Sequence, residues 1–241
     1  GNPVKGWTHI FVPYCTRDIH WGSETHEYDN GDGTTNKVYH QGFANVQSVL
    51  KFMYRLLPNP NSVLVTGCSA GGYGAMMYAP YIMAKYPDTE VSLIADSSFG
   101  VIGTQWARDG FRNWNAECAF PTILAPEIRP RPEDYTWDFV ATLMGGLADA
   151  IPRNHFGMYS TLHDSVQAYF VSLMGIGPKS TEEFAERMMK LGTRVQNENH
   201  NFRLFIDAGT EHCSFAGSEA FGRTVDGVSF ADWAASVIDG D

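Results

Sequence analysis

Basic side chains are scarce: 17 Lys and Arg stand against 27 Asp and Glu in 241 residues, a formal net charge of −10. A nucleic-acid binder needs a basic face that displaces counterions from phosphates, so this balance argues against such a partner. It equally disfavours an anionic membrane surface. No run approaches the ~18–20 apolar residues of a membrane-spanning helix. Cysteine is sparse as well. Cys15, Cys68, Cys118 and Cys213 are scattered and form no C-x-x-C, which removes the usual thiolate zinc spacing. No N-x-S/T sequon occurs, and the opening GNPVKGWTHIFVPYC has neither an initiator Met nor the basic-then-apolar pattern of a signal peptide. The expectation is therefore a chain that starts inside a longer gene. Internal repeats, low-complexity tracts and linkers are absent too. With 44% apolar and 18% charged residues a packed core is within reach, and one domain over residues 1–241 is expected.

What is present alternates short apolar runs with helical stretches. Residues 7–14 (WTHIFVPY) read as a buried strand, and 20–37 as a long polar Gly/Asp/Asn-rich loop. Residues 41–57 carry apolar side chains at helical spacing, and PNPN then stops the helix. Residues 62–66 (SVLVT) and 90–95 (EVSLIA) read as strands, with a small-residue helix over 71–86 between them. Residues 99–132 are rich in aromatics and proline and read as an insertion of loops and short helices. Further helices are expected over 135–148, 180–196 and 229–238, and a strand over 201–206. Strands separated by helices imply parallel βαβ units and an α/β sandwich.

The sharpest motif is Gly67-Cys68-Ser69-Ala70-Gly71, a G-x-S-x-G match with a strand before it and a small-residue helix after it. That is the strand–turn–helix of a nucleophile elbow. The serine occupies a strained turn, so small neighbours let strand and helix pack closely. The helix N-terminus aims backbone N–H groups at the reacting centre, and Ala70 N–H would be one oxyanion donor. The competing reading is a phosphate loop or a plain tight turn; a Walker loop would need Lys then Ser/Thr, and neither follows Gly72.

A serine hydroxyl needs a base, and the base needs a carboxylate to hold its tautomer. In α/β-hydrolases the chain order is Ser, acid, His. His212, after the strand NFRLFI, fits that order; His200 precedes the strand, and with His163 as base no later His would follow the acid. The bland reading of His212 is a surface or satisfied core residue. Asp96, Asp164 and Asp207 compete as the acid, and composition does not choose among them; the other two would be turn caps.

These residues together resemble the pectin acetylesterase/Notum family of serine esterases, and more closely its bacterial members. Tyr14-Cys15-Thr16 with Asp18 and His20-Trp21-Gly22 is similar to the family's YC-x-x-D-x-H-x-G segment. GCSAGG at 67–72 is similar to its nucleophile signature, and STLHDSVQ at 160–167 to its acid segment, which moves the choice of acid to Asp164. Glu211-His212 corresponds to the histidine segment, and residues 224–233 (TVDGVSFADW) resemble the closing segment of bacterial members. The resemblance implies an upstream strand and Gly-rich turn that would supply the remaining oxyanion donors; neither is found here, so the N-terminal part is expected to be missing from the chain.

The resulting expectation is an α/β-hydrolase-like three-layer sandwich with a mainly parallel sheet. Its function would be a serine carboxylesterase with Ser69, Asp164 and His212 as triad and Ala70 as oxyanion donor. The substrate implied by the resemblance is an O-acetyl ester of a carbohydrate, with lipid or polyester esters, or a non-catalytic binding role, as alternatives. The chemistry calls for no cofactor and no metal. His20 and Trp21 are expected to line the substrate pocket, and Asp18 to anchor the loop. Phe99, Trp106, Phe111 and Trp114 could form a lid or sugar platform, although filling a core is the commoner fate of such rings. The cysteines are either packing thiols or disulfides such as Cys15–Cys68 or Cys118–Cys213. A secreted or periplasmic location accompanies the resemblance.

Overall fold

A computed structural model of the chain describes residues 2–122, 135–174, 180–213 and 218–241. After an N-terminal stretch come a hairpin, β1 (Glu24–Asp29) and β2 (Thr35–His40), and helix α1 (Gly42–Leu56). The central alternation follows: β3 (Ser62–Cys68), α2 (Ala70–Lys85), β4 (Glu90–Asp96), α3 (Thr104–Trp114), α4 (Phe139–Ala150), β5 (His155–Thr161), α5 (Ser165–Leu173), α6 (Thr181–Glu198) and β6 (Phe202–Asp207). A short antiparallel pair, β7 (Thr224–Val225) and β8 (Val228–Ser229), leads into α7 (Phe230–Asp239).

β3, β4, β5 and β6 form one parallel sheet in that order. Its faces can be read from period-two alternation. Leu93 and Ala95 of β4, Phe156 and Met158 of β5 and Phe202 of β6 belong to the large core that also holds α1, α2, α4 and α6 side chains. Ile94, Tyr159 and Phe205 point the other way, onto Phe230, Trp233, Ala234 and Val237 of α7. Helices cover both faces, so the architecture is α/β in three layers around a parallel sheet, as expected. Because both faces of β4 and β5 are covered, these strands are buried almost throughout rather than on alternate residues.

Three expectations are corrected. Residues 7–14 form no strand: among the described residues no strand pairs with them, and Phe11 is 85% exposed. An apolar run becomes a strand only where its N–H and C=O groups find a ladder. The stretch 20–37 is not all loop, because β1 and β2 pair from Glu24↔His40 to Asp29↔Thr35. Its turn holds Gly31 and Gly33 at φ +80° and +85°, a region open to glycine. β5 and α5 were not anticipated at all. Among the described residues, no helix is long and apolar enough to cross a membrane.

Candidate active site

In a parallel sheet every strand ends on the same side, and the loops that follow those ends gather there. Ser69 follows β3, Asp164 follows β5 and His212 lies beyond β6. Chain direction alone thus brings three sequence-distant residues to one edge.

Ser69 sits at φ 53°, ψ −122°, between the last residue of β3 and the first of α2. A side-chain-bearing residue rarely adopts this conformation, and holding it costs about 1–3 kcal/mol. The surroundings impose it. Ser69 N–H donates to Asp96 O at 2.9 Å, and Ser98 Oγ donates to Ser69 O at 2.8 Å. A Cβ on Gly67 would run into the Gly71 carbonyl, and one on Gly72 into Ser98 Oγ. The glycines at 67 and 72 therefore permit close approach, whereas a Cβ on Gly71 would meet nothing within 4 Å. Ala70 is the first residue of α2, so its N–H has no acceptor within the helix, and the positive end of the helix dipole lies there.

Asp164 is fully buried and caps α5, its Oδ1 accepting from Val166 N–H at 3.1 Å and Gln167 N–H at 2.9 Å. Its Oδ2 accepts from Gln167 Nε2 at 2.8 Å. His212 Nδ1 lies 2.8 Å from Oδ2 and 3.0 Å from Oδ1. An ionised carboxylate only accepts, so Nδ1 carries the ring hydrogen and Nε2 is left with a bare lone pair. Nε2 is buried and has no hydrogen-bond partner among the described residues. Of the competing acids, Asp96 accepts from Ser97 Oγ at 2.8 Å, and Asp207 is ion-paired with Arg223.

Gln167 is a residue whose part the sequence did not reveal. Besides Asp164 it donates to Ser160 Oγ at 2.9 Å, and its Oε1 accepts from Phe99 N–H at 2.9 Å. It thereby ties the acid to β5 and to the chain beyond β4. The only hint in the sequence was the spacing S-x-x-D-S-x-Q.

Ser69, Ala70, His20 and His212 line one cavity of about 1420 Å³. Its apolar wall includes Ile10, Val12, Leu50 and Met53. His20 contributes from a turn with φ 67°, its ring beside that of Tyr14 and against Gly74. Burial holds the His20 imidazole below its usual range, opposed by Asp18. Burial likewise pushes the Tyr14 hydroxyl up to about 12.

Trp21 lies elsewhere. It is 0% exposed, donates from Nε1 to Tyr73 O at 2.9 Å and packs on Phe111 and Phe120, so it belongs to the core and not to the cavity wall. Asp18 is a loop anchor, accepting from Thr16 Oγ1, His20 N–H and Gly42 N–H. Phe99, Phe111 and Trp114 are buried; Trp106 is half-buried and lines the cavity with Phe111 and Trp114. Neither of the disulfides considered from sequence forms: Cys68 pairs with Cys213, and Cys15 and Cys118 are free.

The fold, a parallel sheet covered by helices on both faces, is α/β-hydrolase-like. Two structures of the Wnt deacylase Notum from Drosophila resemble it, with TM-scores of 0.62 and 0.60 at 17% and 15% sequence identity. Each comparison covers 93% of this chain, which spans 67% and 66% of the two Notum chains. No curated protein sequence matches it. A family model described as Pectinacetylesterase matches residues 2–122, just over half of the chain, and the chain belongs to the pectinacetylesterase family. That match contains Ser69 but ends before Asp164 and His212.

Proposed function

We propose that this chain is a serine carboxylesterase acting on O-acyl esters, with an O-acetylated carbohydrate as substrate. The observation that carries the reading is the half-buried His212 ring with its buried Nε2. Asp164 holds its Nδ1, its Nε2 is unpartnered, and it lines the same cavity as Ser69 in its strained turn. Ser69 Oγ attacks the ester carbonyl while His212 Nε2 takes its proton. Asp164 fixes the tautomer and stabilises the imidazolium. Ala70 N–H donates to the oxyanion of the tetrahedral intermediate, aided by the α2 dipole. Collapse passes the proton to the leaving alkoxide and leaves an acyl-serine, which water cleaves by the same relay in reverse. Ester hydrolysis by this route uses side chains and one backbone donor, with no metal or cofactor in a step. His20 lines the same pocket.

The carbohydrate substrate is supported by the family. A second reading, a lipid or polyester substrate, is favoured by the cavity: about 1420 Å³ with a largely apolar lining exceeds the ~300–1,000 Å³ of ordinary small-ligand pockets. A secreted or periplasmic location is supported by the Cys68–Cys213 bond, since disulfides persist in oxidising compartments.

The test is intact mass after fluorophosphonate treatment of wild type and Ser69→Ala, with turnover of a p-nitrophenyl acyl series alongside. One adduct lost in Ser69→Ala, with acetate turned over fastest, is expected. Preference for long acyl chains would replace the carbohydrate acetyl ester by the lipid reading. No adduct on folded protein would overturn catalysis and favour a binding role.

A further inference from the structure

Ser69 and His212 follow β3 and β6, the two outer strands of the four-stranded sheet. Neighbouring strands lie about 4.8 Å apart, so roughly 14 Å separates those strand ends. The chain after β6 must run back across β5 and β4 to bring the imidazole to the serine. Its first part is fastened beside β5. Leu162 N–H donates to Asp207 O at 2.7 Å, His163 N–H to Gly209 O at 2.9 Å and Thr161 Oγ1 to Glu211 O at 2.7 Å. These bonds hold residues 207–211 well short of β3. Among the described residues the crossing is completed by Cys213. Its N–H donates to Ser97 Oγ, just past β4, at 3.1 Å, and its sulfur is bonded to Cys68, whose Cα is 5.4 Å away. The residue before the nucleophile is thus covalently joined to the residue after the base, across 145 positions of sequence. Cys213 meets this geometry at φ 67°, and Ser97 beneath it at φ 51°.

We propose that the Cys68–Cys213 disulfide is the positioning crosslink that sets His212 against Ser69, and that its reduction switches the esterase off. This rests on the assignment of Ser69 and His212 as nucleophile and base. Reduction by a dithiol such as dithiothreitol proceeds through thiolate attack on one sulfur and a mixed disulfide. The Cys68–Cys213 sulfur–sulfur bond breaks, each cysteine sulfur gains one hydrogen, and the reductant leaves as its cyclic disulfide. No bond to Asp164 is involved, so His212 keeps its tautomer. What is lost is the tether holding the loop over β4. A misplacement near 1 Å costs on the order of 10²-fold in rate. Cys15 and Cys118 are already free, so among the described cysteines this bond is the one a reductant changes.

The experiment compares oxidised and dithiothreitol-treated protein at a temperature where both give a folded circular dichroism spectrum. Alkylation and intact mass count the thiols, four when reduced and two when oxidised if the pairing stands. Turnover of p-nitrophenyl acetate should show kcat falling roughly ten- to a hundredfold with KM within about twofold. Labelling of Ser69 by fluorophosphonate should slow in step, and reoxidation should restore both. The Cys68→Ser/Cys213→Ser variant should be slow and indifferent to dithiothreitol. Unchanged kcat in folded reduced protein overturns the proposal, as does a loss that merely tracks unfolding. Failure of the oxidised protein to label at Ser69 overturns the esterase assignment instead, so the two failures are told apart.

Discussion

Asp164 serves two structures with one carboxylate, capping α5 while holding His212. The two roles separate by substitution. Asparagine caps a helix about as well as aspartate, but its amide would present a donor or a neutral acceptor to Nδ1. Asp164→Asn should therefore leave the unfolding midpoint nearly unchanged while kcat on p-nitrophenyl acetate falls about 10⁴-fold, by analogy with loss of tautomer control in a serine triad. Asp164→Ala should add a loss of roughly 0.5–2 kcal/mol for the missing cap, read by denaturant unfolding. Trp21 behaves as the fully buried ring it is: Trp21→Ala should cost about 3–5 kcal/mol and lower the melting temperature. The KM of the fraction that stays folded should not move.

At the scale of elements, the nucleophile turn is an asymmetric joint. Gly67 faces the backbone of Gly71, which cannot yield without moving Ser69. Gly67→Ala should destabilise by about 1–3 kcal/mol, the usual cost of overpacking, and abolish fluorophosphonate labelling. Gly71 has open space where a Cβ would go and lies inside α2. Gly71→Ala should be tolerated, with stability rising by about 0.4–1 kcal/mol from the stiffer unfolded chain and labelling retained. The two glycines look alike in the motif, and only the packing distinguishes them. The same holds for strands. Residues 62–66 and 90–95 were legible because they are short apolar runs bounded by turn residues. β5, HFGMYST, was not, because His155, Gly157, Ser160 and Thr161 break up its apolar residues and leave neither a continuous run nor an alternation. The hairpin was hidden because its register pairs polar residues on both strands.

For the whole molecule, proton linkage sets how stability depends on pH. His20, His40 and His155 are each held below the usual 6.5, in each case chiefly by burial. Below pH 6.5 the unfolded chain protonates these rings before the native protein does, so it binds more protons and stability rises with pH there. The stabilisation is complete above pH 6.5 and is lost as pH falls through the depressed native values. Asp138 is held below its usual 3.8, against its burial, by the Thr136 hydroxyl and then Arg194, and Glu211 below its usual 4.5 by backbone N–H bonding and then Arg223. They extend the same trend to lower pH. Melting temperature, measured by circular dichroism from pH 8 to 4, should be flat above about 7 and decline below 6.5. A melting temperature constant from pH 7 to 5 would contradict this account.

Read alone, the residues determine the α/β class, the position of α1, α2, β3, β4, α6, β6 and α7, the turn that carries Ser69 and, through a resemblance, the pairing of Asp164 with His212. All of these rest on local signals: apolar spacing, Gly at a tight turn, short motifs with fixed offsets. What only the tertiary structure decided involves partners far apart in sequence. Whether 7–14 is a strand depends on a neighbouring edge, and whether Trp21 lines a pocket depends on Tyr73, Phe111 and Phe120. Which cysteines pair depends on a loop after β6 crossing the sheet to β3. Such contacts are fixed by the order and direction of strands, which no local pattern encodes.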